Sequence, residues 1–303
     1  MNVTKRSPGG RHLGPALIVI SAISFGALPI FARLAYAAGA TPTTVLLLRF
    51  ALAALVMVCV MIARRMPFPR GYALLGLVLM GGVGYVGQSL AYFTALTLTS
   101  AGLVALLLYL YPAIVTLLSA LIFKERLTPI KLGAVLLALA GTILTIRPTG
   151  SGSTLGILLG VASAIIYSIY ILVGSRVMPQ SGVISSSTVV MISAAIVYGG
   201  IVAVQGPAFP QTRLGWAAIL AIALISTVLA IVTFFAGLKR IGPSRAATIS
   251  TLEPVTSVVL AALVLGEGFN TLQAIGGCLI LVAALLCNLP GFPRLLTLRR
   301  NPR

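Results

Sequence analysis

Three carboxylates are all the acid this chain carries, and one of them stands in an oily run. The stretch "ISTLEPVTSVVLAALVLGEG" (249–268) places Glu253 directly before Pro254. A carboxylate in such a place can pair structurally with a basic residue, stay neutral and donate to a freed carbonyl, or exchange a proton or bind a substrate cation. Pro254 has no N–H, so the Ser250 carbonyl four residues earlier loses its usual helical partner; Pro112 does the same to Leu108. Tyrosines and other polar residues recur at helical spacing nearby. Tyr85, Gln88 and Tyr92 fall at i, i+3 and i+7; Ser163, Tyr167 and Tyr170 form a second stripe; Ser250, Glu253 and Ser257 form a third; and Tyr109 and Tyr111 stand just before Pro112.

This set suits non-covalent recognition of a small amphipathic solute. It predicts a substrate cavity lined by Tyr85, Gln88, Tyr109, Tyr111, Tyr167, Tyr170, Ser250 and Glu253, with Pro112 and Pro254 as kinks in matching, gate-like helices. Each tyrosine has a plainer reading, a hydroxyl bonded to a neighbouring helix. Gly81, Gly82, Gly84 and Gly87 read first as close-packing devices. Arg49 also falls inside an apolar run; it reads as a clamp on helix-end carbonyls or as the structural partner of Glu253. Glu125 and Glu267 follow helix ends near the membrane surfaces, and Glu125, flanked by Lys124 and Arg126, reads as structural or as a loop residue.

Chemistry of other kinds is hard to assemble. There is no Asp, no H-E-x-x-H, no G-x-S-x-G, and the one His (His12) lies near the N-terminus, so no enzyme is expected. Cys59, Cys278 and Cys287 show no C-x-x-C spacing and read as small apolar packers, so neither a metal site nor a cofactor is expected.

The elements that must hold these residues are apolar helices. The chain is 59% hydrophobic and 8% charged, with mean hydropathy +1.13, and its apolar runs approach the ~20 residues needed to cross a bilayer. Polar and Pro/Gly punctuation gives ten segments, at 13–37, 42–63, 71–95, 100–123, 129–147, 154–178, 183–204, 213–239, 243–265 and 271–290. The fold class is all-α integral membrane. The net charge of +18 orients it rather than binding nucleic acid. Of 21 Lys and Arg, Arg33 and Arg49 lie within segments and Arg147 and Arg213 on one side, which leaves seventeen on the side of the N-terminus. This bias predicts both termini in the cytoplasm. Trp216 and Tyr72 read as interfacial belt residues.

The chain is also written twice. A shift of 142 positions carries Pro112 onto Pro254 and Glu125 onto Glu267 (254 − 112 and 267 − 125). It carries Ser21-Ala22-Ile23 onto Ser163-Ala164-Ile165, and "YFTALTLTSAGLVALLLYLYP" onto "FFAGLKRIGPSRAATISTLEP". The unit is five segments; an odd number starts the second copy on the opposite side of the membrane. The expected domains are a tail (1–12), a first five-helix repeat (13–147), a second (152–290) and a basic tail (291–303). Inverted repeats of this kind build secondary transporters, with the solute site near the midplane.

The segments "LLLRFALAALV", "YPAIVTLLSALIFKERLTPIKLGAVLLALAGTIL" and "EPVTSVVLAALVLGEGFNTLQAIGGCLILVAALL" resemble the EamA-like family of the drug/metabolite transporter superfamily, over about 13 to 290. The family's first-helix Trp-Gly reads Phe25-Gly26 here. The resemblance implies export of amino acids or related small amphipathic metabolites across the bacterial inner membrane by alternating access. Proton-coupled efflux of lipophilic or cationic toxic compounds is the nearer rival, although the first segment lacks the Glu that small relatives use. A passive solute channel is the remote one. The implied partners are a small-molecule substrate, the lipid bilayer and protons as a candidate coupling ion; no obligate protein partner is evident.

Overall fold

The computed structural model describes residues 10–123, 128–146, 153–177, 182–241, 246, 249–268 and 270–288. These are helical and contain no strand. In chain order they form α1 (Gly10–Gly26), α2 (Leu28–Ala37), α3 (Pro42–Ala63), α4 (Gly71–Leu79), a first π-helical turn (Met80–Tyr85), α5 (Val86–Leu98), α6 (Ala101–Leu108), α7 (Tyr111–Phe123) and α8 (Pro129–Ile146). The second half supplies α9 (Thr154–Val177), α10 (Val183–Gln205), α11 (Arg213–Ala223), a second π turn (Leu224–Leu229), α12 (Ala230–Ile241), α13 (Leu252–Leu265) and α14 (Thr271–Asn288).

Seven helical stretches are long and apolar enough to cross a membrane: His12–Ala37, Pro42–Ala63, Gly71–Leu98, Ala101–Ile122, Thr154–Gly174, Val183–Gln205 and Arg213–Ile241. Pro129–Thr145, Leu252–Leu265 and Thr271–Leu286 are shorter apolar helices at the three remaining sequence segments.

Three expected continuous helices are broken, each just before a proline. The first segment breaks at Ala27, two residues before Pro29; the fourth at Tyr109–Leu110, before Pro112; the ninth at Thr251, before Pro254. A proline ring displaces the carbonyl four residues back and removes one rung of the ladder, so each helix restarts around it. The sequence reading anticipated the last two as kinks and did not anticipate the first.

Ends are fixed by local chemistry. Ser100 Oγ accepts from Leu103 N (3.4 Å) to start α6, and Thr212 Oγ1 accepts from Gly215 N (3.1 Å) to start α11. Gly266 closes α13 in the left-handed region (φ 67°), which an L side chain adopts only with strain. That turn delivers Glu267, whose two carboxylate oxygens accept from Ala101 N (2.8 Å) and Gly102 N (3.2 Å). Glu267 thus caps a helix in the other half of the chain. Its repeat mate Glu125 lies outside the described residues, as do most of both tails.

The halves interlock. The most extensive packing joins α8 with α14, α10 with α3, α1 with α12, α5 with α9, and α11 with α2, and α13 also packs on α6. Glycines permit the closest approaches: a Cβ on Gly141 would lie 2.7 Å from the Gly276 carbonyl oxygen, and one on Gly81 2.5 Å from that of Val190. The core gathers around Phe50, Tyr198, Phe93, Met57 and Leu96, with a second cluster around Leu107, Ile280 and Ala283. Cys59 and Cys278 do not pack inside as expected; both lie exposed on the outside of the bundle, where an apolar thiol suits lipid.

Candidate functional site

The three proline breaks converge on Glu253. Ser257 Oγ, one turn along α13, donates to the Gly26 carbonyl at the first break (2.8 Å). Gly26 packs so closely that a Cβ there would fall 2.6 Å from the Glu253 carbonyl oxygen. From the second break, the Tyr109 hydroxyl donates to the Ser250 carbonyl (2.6 Å), and its oxygen also lies 3.3 Å from Glu253 Oε2. The carbonyl freed by Pro254 is therefore taken by a tyrosine of the opposite half. Ser250 contributes its backbone rather than its hydroxyl.

Tyr109 begins a continuous file of rings. Its ring is edge-on to Tyr111 (5.6 Å between centroids), Tyr111 to Tyr167 (5.0 Å), Tyr167 stacks on Tyr170 (6.1 Å), and Tyr170 on Tyr85 (5.5 Å). The file continues through Phe50 (5.2 Å) to Tyr198 (5.7 Å). The five tyrosines come from three elements — the α6–α7 break, α9 and the first π turn — so they converge between helices rather than covering one. Tyr111, Tyr167, Tyr170, Tyr85 and Glu253 are half-buried, so the wall borders open space. Tyr92, Tyr111 and Tyr167 all lie within electrostatic reach of Glu253.

Arg49 stands at the other end. It is 3% exposed, its Nε donates to Thr227 Oγ1 (3.0 Å) and its Nη2 to the Tyr85 hydroxyl (3.3 Å). The guanidinium carbon lies 5.0 Å from the Phe50 centroid and 5.5 Å from that of Phe93. Neither expectation for Arg49 holds among the described residues: it clamps no carbonyl there, and it does not pair with Glu253. The reason is local. Both π turns bring a hydroxyl to it, Tyr85 from the first and Thr227 from the second, while Glu253 is held at the far end by Tyr109.

All the expected site residues but one thus fall into a single connected array. Gln88, one turn beyond Tyr85, is buried and makes no hydrogen bond among the described residues. Residues that the sequence reading did not single out include Thr227, Phe50, Phe93 and Tyr198, whose hydroxyl donates to the Val86 carbonyl (3.0 Å). Thr227 and Tyr198 are isolated polar groups in apolar helices, which is the only sequence signal they give. Two apolar grooves on the outer face, lined by residues such as Leu74, Val78, Leu55 and Ile196, touch no member of this array.

This arrangement can bind a small solute through aromatic faces, one carboxylate and one guanidinium. The described residues contain no cluster of His, Cys, Asp and Glu that could hold a metal ion.

Comparison with known proteins agrees. The model of the EamA-like transporter family matches residues 12–147 and again 154–289. The uncharacterized transporter YcbK of Bacillus subtilis is 29% identical, over 87% of this chain and 88% of its own. The uncharacterized inner membrane transporter YicL of Salmonella typhimurium is 28% identical, over 71% and 73%. The aromatic amino acid exporter YddG of Ancylobacter novellus is 26% identical, over 67% and 70%. A solved crystal structure superposes with a TM-score of 0.65 at 22% identity, covering 91% of this chain and 96% of that one, a likeness of fold. Two family repeats spanning nearly the whole described chain make it a member of the EamA-like transporter family.

Proposed function

We propose that the chain is a secondary transporter that exports amino acids or related small amphipathic metabolites by alternating access. In this reading ten helices cross the bacterial inner membrane as two inverted five-helix repeats, 13–147 and 152–290. Both termini, with the tails 1–12 and 291–303, are cytoplasmic. The pairing of helices supports a two-fold relation between the repeats, and the odd number of segments per repeat makes it inverted. Under the repeat correspondence α1 with α12 exchanges with α9 with α5, while α3 with α10, α6 with α13 and α8 with α14 map onto themselves.

One observation carries the substrate reading. Glu253 is half-buried beside a wall of tyrosines, and the only hydrogen bond to its carboxylate among the described residues is the 3.3 Å contact from Tyr109. An ionised carboxylate accepts at about four positions, so most of its capacity is unspent and open to an ammonium group. The rings of Tyr111, Tyr167 and Tyr170 offer faces for the solute's apolar part. The relative named as an aromatic amino acid exporter fits such a wall. Pro112 and Pro254, at matching breaks, are the proposed gates. A second reading, proton-coupled efflux of lipophilic cations, draws on the same carboxylate among rings.

The test is counterflow in liposomes of purified protein, with labelled amino acids and cationic dyes, with and without a pH gradient, on wild type and Glu253→Gln. Saturable amino-acid counterflow that falls tenfold or more with Glu253→Gln (about the worth of one charge-assisted hydrogen bond) supports the reading. Dye transport driven by the gradient, without amino-acid counterflow, favours the second. Non-saturable flux without counterflow would mean a channel.

A further inference from the structure

We infer that Arg49 is an anion-binding site that takes the carboxylate of the transported solute. The inference deepens the proposed function and rests on it for the identity of the anion, though not for the site itself.

Charge balance is the first argument. A guanidinium has five N–H donors and no way to lose its charge in a protein. Arg49 spends one on Thr227 and one on Tyr85, both neutral hydroxyls, and lies against two aromatic rings. Three N–H groups remain without an acceptor among the described residues. Nor does any carboxylate among the described residues pair with it. The chain has three acidic residues; Glu253 lies against Tyr109 and Glu267 caps the start of α6, and neither forms an ion pair with Arg49. Glu125 lies outside the described residues. A buried cation with spare donors is costly unless an anion joins it.

Access is the second argument. The described polar side-chain atoms sealed from solvent without a partner are Thr99 Oγ1, Ser186 Oγ and Ser226 Oγ. Arg49 Nη1 is not among them, so this nitrogen is not fully sealed, although the residue as a whole is only 3% exposed. Tyr85, which holds Nη2, is also the last tyrosine of the wall that begins at Glu253, so Arg49 faces the same array from the opposite end. Tyr92 lies within electrostatic reach of both charges.

Position is the third. Tyr85 and Thr227 are 142 residues apart (227 − 85), the shift that relates the two repeats. Each sits in the π turn of its own half. A guanidinium bonded to two repeat-equivalent residues lies where the halves meet, the place where a solute must sit to be exposed first to one side and then to the other. Its planar fork also matches a carboxylate in geometry.

The experiment measures ligand-induced thermal stabilisation of the purified full chain, which rises with occupancy, alongside phenylalanine counterflow. The probes are L-phenylalanine, L-phenylalaninamide (no carboxylate) and 3-phenylpropanoate (no ammonium). Wild type should prefer phenylalanine over its amide by about ten- to a hundredfold, the worth of a charge-assisted pair. Arg49→Gln should bring that preference below about threefold and lose phenylpropanoate binding. If Arg49→Gln does not fold, Arg49→Lys, which keeps the charge and loses the fork, should weaken carboxylate binding yet keep some preference over the amide. Phenylalanine counterflow with equal binding of the amide to wild type would overturn the inference and leave the proposed function standing. Arg49-dependent phenylpropanoate binding without phenylalanine counterflow would uphold the anion site and defeat the amino-acid reading. Carboxylate binding indifferent to Arg49, or absent from wild type, would end the inference.

Discussion

Replacing Tyr109 by Phe removes one oxygen at the point where two broken helices meet. The hydroxyl is the donor to the Ser250 carbonyl at 2.6 Å. Pro254, the residue that would otherwise supply a helical N–H to that carbonyl, has none to give. Tyr109→Phe therefore leaves a largely buried acceptor unpaired, at about 1–3 kcal/mol. The longer contact to Glu253 Oε2, 3.3 Å, adds about 0.5 kcal/mol at most, since hydrogen bonds weaken with length. Half-exposure of Glu253 lets water approach, which places the expected loss toward the lower end. The proper comparison is Tyr111→Phe. The Tyr111 hydroxyl makes no hydrogen bond among the described residues, and its ring packs in the same file, so its loss should cost under about 0.5 kcal/mol. Thermal unfolding of both variants in one detergent measures the difference. Equal stability of Tyr109→Phe, Tyr111→Phe and wild type would refute the claim that Tyr109 replaces the donor Pro254 lacks.

Other perturbations test the frame. Glu267→Ala should lower stability by about 0.5–2 kcal/mol through loss of the cap on α6, and should leave the preference of phenylalanine over its amide unchanged; a melting temperature equal to wild type would deny the cap. Gly141→Ala places a Cβ 2.7 Å from the Gly276 carbonyl oxygen and should cost about 1–3 kcal/mol by forcing α8 from α14. Gly133→Ala, in the same helix with nothing within 4 Å of its Cβ, should be neutral or slightly stabilising; thermal melts that do not separate the pair would discount the glycine crossing. Pro112→Ala and Pro254→Ala restore a backbone donor to each break and should change which side labels an engineered cysteine in the wall; unchanged labelling and transport in both would remove the gate assignment.

Much of the frame is legible in the residues, because it follows from rules that act locally. Apolar runs, two prolines at one repeat shift and tyrosines at helical spacing give the helical class, two breaks and the members of the wall. Pro254 even indicates which carbonyl is freed. What the sequence does not show is where partners come from across long separations. The π turns carry no pattern of their own; each inserts one residue into a helix that reads as regular, and so rotates Tyr85 and Thr227 toward Arg49. Glu267 reads only as a residue after a helix end until the fold lays α6 beside α13. Gln88 belongs to the expected stripe, yet it stands one turn outside the ring contacts.

The repeat frame and the chemistry set in it follow different symmetries. Both halves have a π turn, a proline break and a glutamate after the broken helix. The charges are not shared. At the repeat shift Tyr111 stands where the second half has Glu253 (253 − 111), and Met191, buried in the core, where the first has Arg49 (191 − 49). One half thus supplies the cation and the other the anion, each with bonding capacity left over. Under the proposed carrier reading, a solute carrying both charges can pair with the carboxylate at one end of the ring file or with the guanidinium at the other. An apolar solute could do neither, and a simple cation would leave Arg49 unpaired. The selectivity expected from this is for solutes carrying both charges, and it arises where the two repeats differ rather than where they agree.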